Sequence, residues 1–178
     1  MTEINLLRPS LAFEKAILAY KSEFGESDQL INGARMLHTK ATITEWLTNL
    51  SLYEDQATLP NKKYVPGYQF ILVRTGDHKI LGMSHLRTTL NEAWLSYGGH
   101  IGYSICPSER GRGYGKLLLD KTLIEAKRIG IARVLVTCDE TNIGSEKVII
   151  SNNGRLENRV FDPEHQVWVK RFWIDNAR

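Results

Sequence analysis

Seven consecutive residues, Arg110-Gly-Arg-Gly-Tyr-Gly-Lys116, have the types and spacing to hold an anion. A helix that starts inside such a run leaves its first backbone N–H groups without intrahelical partners, and its aligned peptide dipoles put roughly half a positive charge there, so phosphate oxygens are favoured ligands. Gly111, Gly113 and Gly115 let the backbone approach them, and Arg110, Arg112 and Lys116 add charge. Two familiar phosphate loops do not fit. A Walker loop ends in Gly-Lys-Ser/Thr, whereas Lys116 is followed by Leu117, which cannot hold magnesium. A dinucleotide loop reads G-x-G-x-x-G directly after a first strand, but glycines 111, 113 and 115 alternate and come late in the chain. Arg/Gln-x-x-Gly-x-Gly/Ala fits at every fixed position.

The surroundings sharpen this. His100-Ile-Gly-Tyr-Ser-Ile-Cys106 reads as a strand ending at Pro107, a helix follows from 113 to 129, and Arg133-Val-Leu-Val-Thr-Cys138 reads as another strand. A further helix carries Asn142 and Ser145 near its start. On these residues the chain resembles the GNAT superfamily of acetyl-CoA-dependent N-acetyltransferases, and the resemblance spans most of its length. It implies one α/β (α+β) domain over 1–178, with a mixed, mostly antiparallel central sheet of about six to seven strands flanked by helices. It implies acetyl-CoA as co-substrate, with the pantetheine arm pairing with Ile105 and Cys106 as an added strand and the pyrophosphate on Arg110, Gly111, Arg112, Gly113, Tyr114, Gly115 and Lys116. Asn142 and Ser145 match the family's Asn-x-x-Ala/Ser placement; Asn142 caps its helix or bonds the pantetheine. The implied reaction moves an acetyl group to a primary amine by direct attack in a ternary complex, with no metal.

That reaction needs a neutral amine, and with a lysine-like pKa near 10.4 only on the order of one amine in a thousand is neutral at pH 7. His100, two residues before Gly102 and four before Ser104 on one strand face, is the candidate base; a hydrogen-bonded structural histidine is the plainer alternative. The tyrosine that many members carry seven residues after the asparagine, as acid, is Ile149 here. Cys138, Tyr103, Ser104 or water are the substitutes. The family's Gly-Phe after this helix is Asn153-Gly154. His78 and His85 have no motif around them.

Elsewhere, Glu3–Pro9 reads as a strand and Leu11–Phe24 as an amphipathic helix with Ser10 as N-cap and Phe13, Ala16, Ile17 and Tyr20 on one face. From Gly25 to Val65 the pattern is loose, apart from a helix over 42–52 with Trp46, Leu47 and Leu50 together. Tyr68–Arg74 and Lys79–Leu86 form a hairpin, as do Arg155–Phe161 and Gln166–Ile174. Leu117, Leu118, Leu119, Leu123, Ile124 and Ala126 form an apolar helix face, and Trp94, Trp168 and Trp173 read as packing residues.

Composition excludes several classes. At 178 residues, 42% hydrophobic and 24% charged, the chain is long enough for a sizeable core and is neither disordered nor membrane-spanning in pattern. Its first residues lack the basic start and apolar stretch of a secretion signal, so a cytoplasmic location is expected. Cys106 and Cys138 lack zinc-site spacing and read as buried thiols. A net charge of +3 does not imply nucleic acid. The expected partner is a small-molecule or peptide amine acceptor, with no nucleic acid, no membrane and a homodimer left open. Two alternatives stand beside the enzyme: a coenzyme-binding module that has lost catalysis, and a domain using Arg110, Arg112, Lys127, Arg128 and Arg133 as a nucleic-acid patch.

Overall fold

Val, Ile, Leu and aromatic residues with short period crowd the segments that extend, and Thr75-Gly-Asp-His78 and Pro163-Glu-His-Gln166 stand where the two hairpins turn. The computed structural model describes residues 3–25 and 30–177. Its elements run β1 (Ile4–Leu7), α1 (Glu14–Ser22), α2 (Ile43–Leu52), β2 (Gly67–Arg74), β3 (Lys79–Arg87), β4 (Ile101–Ile105), α3 (Tyr114–Arg128), β5 (Arg133–Asp139), α4 (Ile143–Ser151), β6 (Arg155–Asp162) and β7 (Val167–Asp175). The seven strands make two antiparallel sheets, β1-β2-β3-β4 and β5-β7-β6, flanked by helices.

Both hairpins form as expected, with Tyr68 opposite Leu86 in the first and Phe161 opposite Trp168 in the second. Two details differ from the sequence reading. Ser10 makes no side-chain cap, and the chain enters α1 through a tight turn over Leu11–Phe13, closed by the Phe13 N–H donating to the Ser10 carbonyl at 3.0 Å. A single wide helical turn, Trp94–Gly98, was not expected at all; it precedes β4 and sets its entry.

Two apolar layers cover the sheets. Ile17, Tyr20, Trp46 and Leu50 of α1 and α2 pack on Ile71, Val73, Ile80 and Met83. On the other face Leu119, Leu123 and Ala126 of α3 and Ile149 of α4 pack on Ile101, Val134, Val136 and Phe172. Each Val, Leu, Ile, Met or Phe side chain among these, taken from water, contributes roughly 1.5–3 kcal/mol. Ile124 departs from the expected apolar face of α3 and is exposed. Of the tryptophans read as packing residues, Trp94 and Trp173 are half-buried against Arg87 and Arg133, whereas Trp168 is exposed against Phe161; the fully buried tryptophan is Trp46. Both cysteines are buried and unpaired. No helix among the described residues is long and apolar enough to cross a membrane.

Candidate active site

β4 and β5 belong to different sheets yet meet at one end. The His100 N–H donates to the Leu135 carbonyl at 2.7 Å, and the Leu135 N–H donates to His100 Nδ1 at 2.9 Å. Beyond that clasp no ladder joins the two strands, so they splay. Antiparallel alternation decides which groups face the gap. The Cys106 N–H donates to Leu81 and the His100 carbonyl accepts from Arg87, both toward β3, so Tyr103 and Ile105 turn their backbone groups the other way, into the gap. Of the two residues expected to pair with an extended arm, Ile105 is therefore placed to do so. Cys106 has its N–H engaged by β3, because it is one step out of phase.

The chain leaves β4 through a tight turn, Pro107–Glu109, and enters α3 at Gly113. Gly111 and Gly113 have φ of +76° and +84°, the left-handed region that glycine reaches without strain, and a Cβ on either would meet open space. No side chain caps α3, and the N–H groups of residues 111–116 have no partner outside the helix among the described residues. This is a cradle of donors at a helix start, with Arg112 and Lys116 exposed beside it. Arg110 lies over the Phe24 ring at 5.8 Å and donates from Nε to the Ile105 carbonyl at 3.3 Å, so it ties the turn to the strand end. Gly115 is needed for another reason: its Cβ would come within 2.8 Å of Val148, so α3 and α4 approach closely there. Tyr114 is half-buried in the first turn of α3 and packs with Leu118 and Leu81.

The turn is braced by residues that carry no motif. Glu109 is 4% exposed and pairs with Arg74 and Lys79 at 3.3 Å each and with Arg112 at 3.4 Å. Burial alone would raise its carboxyl, but Arg74 and Lys79 hold it below the ordinary carboxylate range. Glu23 at the end of α1 accepts from the Ser108 N–H at 2.9 Å.

On the far side of the gap, Asn142 Oδ1 accepts from the Ser145 N–H at 3.0 Å, so this side chain caps α4. Ser145 Oγ lies 2.8 Å from the Tyr103 hydroxyl, which thus spans the gap from β4 to the first turn of α4. Burial pushes this phenol up to about 12 and keeps it protonated. Ser104 Oγ lies 2.8 Å from the Tyr20 hydroxyl, and burial raises the Cys138 thiol to about 11. Ile149 is fully buried in the core, and Asn153 at φ +64° closes α4 while the Gly154 N–H donates to the Ile149 carbonyl at 3.0 Å.

His100 is placed at the clasp, 9% exposed. Its Nδ1 accepts from Leu135, so the neutral ring carries its proton on Nε2 and offers no lone pair. Burial, with Arg87 nearby, brings it down to about 4. This geometry departs from the base expected of it, because the lone pair a base needs is already engaged. The residues sequence reasoning missed, Glu109, Glu23, Arg74 and Tyr20, act through contacts distant in sequence, and only the helical face of Tyr20 gave any sign of them.

The sequence pattern of the acetyltransferase (GNAT) domain matches residues 24–153. Solved structures share the fold. Ribosomal-protein-S5-alanine acetyltransferase from Vibrio fischeri superposes with a TM-score of 0.70 at 15% identity, over 99% of this chain and 94% of that one. A spermidine N-acetyltransferase chimera from Vibrio cholerae and hSSAT gives 0.66 at 13% identity, over 99% and 97%. The yncA protein from Salmonella typhimurium, in a structure with its cofactor acetyl-CoA, gives 0.58 at 11% identity, over 97% and 94%.

Proposed function

Because this chain belongs to the GNAT acetyltransferase family, we propose that it transfers an acetyl group from acetyl-CoA to a primary amine in a ternary complex. The observation that carries this reading is the absence of a ladder between β4 and β5, together with the uncapped start of the helix that follows β4. A thin, hydrogen-bonding arm fits the first and a pyrophosphate the second. The backbone of Ile105 and Tyr103 would hold the arm, and the N–H groups of residues 111–116 with Arg112 and Lys116 would hold the phosphates. Neighbours named as N-acetyltransferases are consistent with an amine acceptor.

Acetyl-CoA, when bound, supplies an acyl carbon open to an amine and a sulfur able to leave as thiol. Tyr103 is our proton donor: it reaches from β4 to Ser145 in the first turn of α4 and is protonated, while Ile149 is packed in the core. His100 is a positioning residue that closes the gap, and the acceptor amine is made neutral chiefly by leaving water. Tyr103→Phe is expected to lower kcat by roughly ten- to a hundredfold, as loss of a positioned acid does, with acetyl-CoA affinity retained. Initial-rate lines that intersect would support direct transfer. Parallel lines, or full activity in Tyr103→Phe, would count against the assignment.

A further inference from the structure

The face of the sheet toward α1 and α2 holds a cluster of cations beside the clasp. On β3, His85 stands opposite Gly102 of β4, and Arg87, two residues on, lies on the same face. The segment between α1 and α2 crosses this point so closely that a Cβ on Gly33 would overlap the Tyr103 Cα, and it delivers Arg35. Arg35 Nη1 lies 3.3 Å from His85 Nε2. Because the guanidinium can only donate, the neutral imidazole has its proton on Nδ1.

Four donor atoms here are buried without partners: Nε and Nη2 of Arg35, Nδ1 of His85 and Nε of Arg87. His85 is 3% exposed. Neither Arg35 nor Arg87 pairs with a carboxylate among the described residues, and the charged groups felt by His85 are Arg87, Arg35 and Arg8, all of one sign. Glu54 pairs with Arg8. Aromatic faces cover the guanidinium groups instead: Tyr53 at 3.7 Å and Tyr64 at 5.0 Å from Arg35, and Trp94 at 3.6 Å from Arg87. Arg35, Arg87, Tyr64 and Trp94 are all half-buried, and Arg87 Nη1 donates to the Gly99 carbonyl at 3.0 Å. Buried cations without counter-charge are unfavourable alone and become favourable when an anion completes them.

We propose that Arg35, His85 and Arg87 recognise a carboxylate on the acceptor, so that the substrate is a small amine that also carries a carboxylate, as free amino acids do, and not a polyamine. The proposal rests on the acetyltransferase reading above. The cluster adjoins Gly102 and His100, at the closed end of the gap where an acceptor amine would have to arrive. A polycation would meet like charge there, and a carboxylate would meet a guanidinium fork.

The test compares acceptors that differ only in the carboxylate: each L-amino acid against its amide and its decarboxylated amine, with spermidine as the polycation. The expected result is a kcat/KM at least roughly tenfold higher for the carboxylate form, as for other hydrogen bonds to a charged group. Arg35→Met should remove that preference through KM, and Arg35→Lys should keep part of it, with acetyl-CoA affinity unchanged in both. Equal or better use of amides or spermidine, or a preference that survives Arg35→Met, would overturn the subsite. Calorimetric binding of the L-amino acids gives a readout independent of turnover: no binding of any of them also overturns it. Failure to bind acetyl-CoA would instead strike the transferase reading.

Discussion

His100 is held neutral by burial and by the nearby Arg87, and this has a measurable consequence for acid stability. Its folded pKa, about 4, lies below the ordinary 6.5. As pH falls through 6.5 the unfolded chain takes up a proton that the folded chain refuses, so stability declines until pH nears 4 and then levels; a shift of this size corresponds to about 3 kcal/mol. His85, held well below the ordinary value by burial, adds to the loss with the same sign. His100→Asn keeps an oxygen to accept from Leu135 but does not titrate, so urea unfolding at pH 7 and pH 4.5 should show a smaller difference than in the parent chain. An unchanged difference would mean that the ring is not neutral in the fold. If the same variant erased the acidic limb of the pH–rate profile, His100 would be a base after all.

The start of α3 was legible because its signal is local: glycines at 111 and 113 and flanking arginines report a conformation and a charge within a few residues. The strands and their hairpins were legible for the same reason. What bears on the chemistry beside the gap was not, because Tyr103 with Ser145, His100 with Leu135 and Arg35 with His85 are pairs made by topology, and Ser10 lost its expected cap to a tight turn favoured by packing. Glu109 is a case in which the missed contact is structural. Removing one partner from a buried ion-pair set costs about 3–5 kcal/mol, so Glu109→Gln should lower the melting temperature markedly by leaving Arg74 and Lys79 without their shared carboxylate. A melting temperature within a degree of the parent would show that Asp77 and Glu23 suffice to balance them.

Among the described residues the two sheets are clasped where His100, just before β4, meets Leu135 of β5, and α3 follows β4 after a tight turn. That arrangement makes one site from two sheets, a helix start and the crossing segment between α1 and α2. Calorimetric titration with acetyl-CoA, run beside NADH and ATP and repeated on Gly113→Val, examines it directly. The substitution would place a side chain in the open cradle at a φ of +84° that a branched residue strongly resists. Selective binding of acetyl-CoA that is lost in Gly113→Val is the predicted result. Binding that is absent from the parent chain, or unchanged in the variant, would contradict the placement of the coenzyme on this turn.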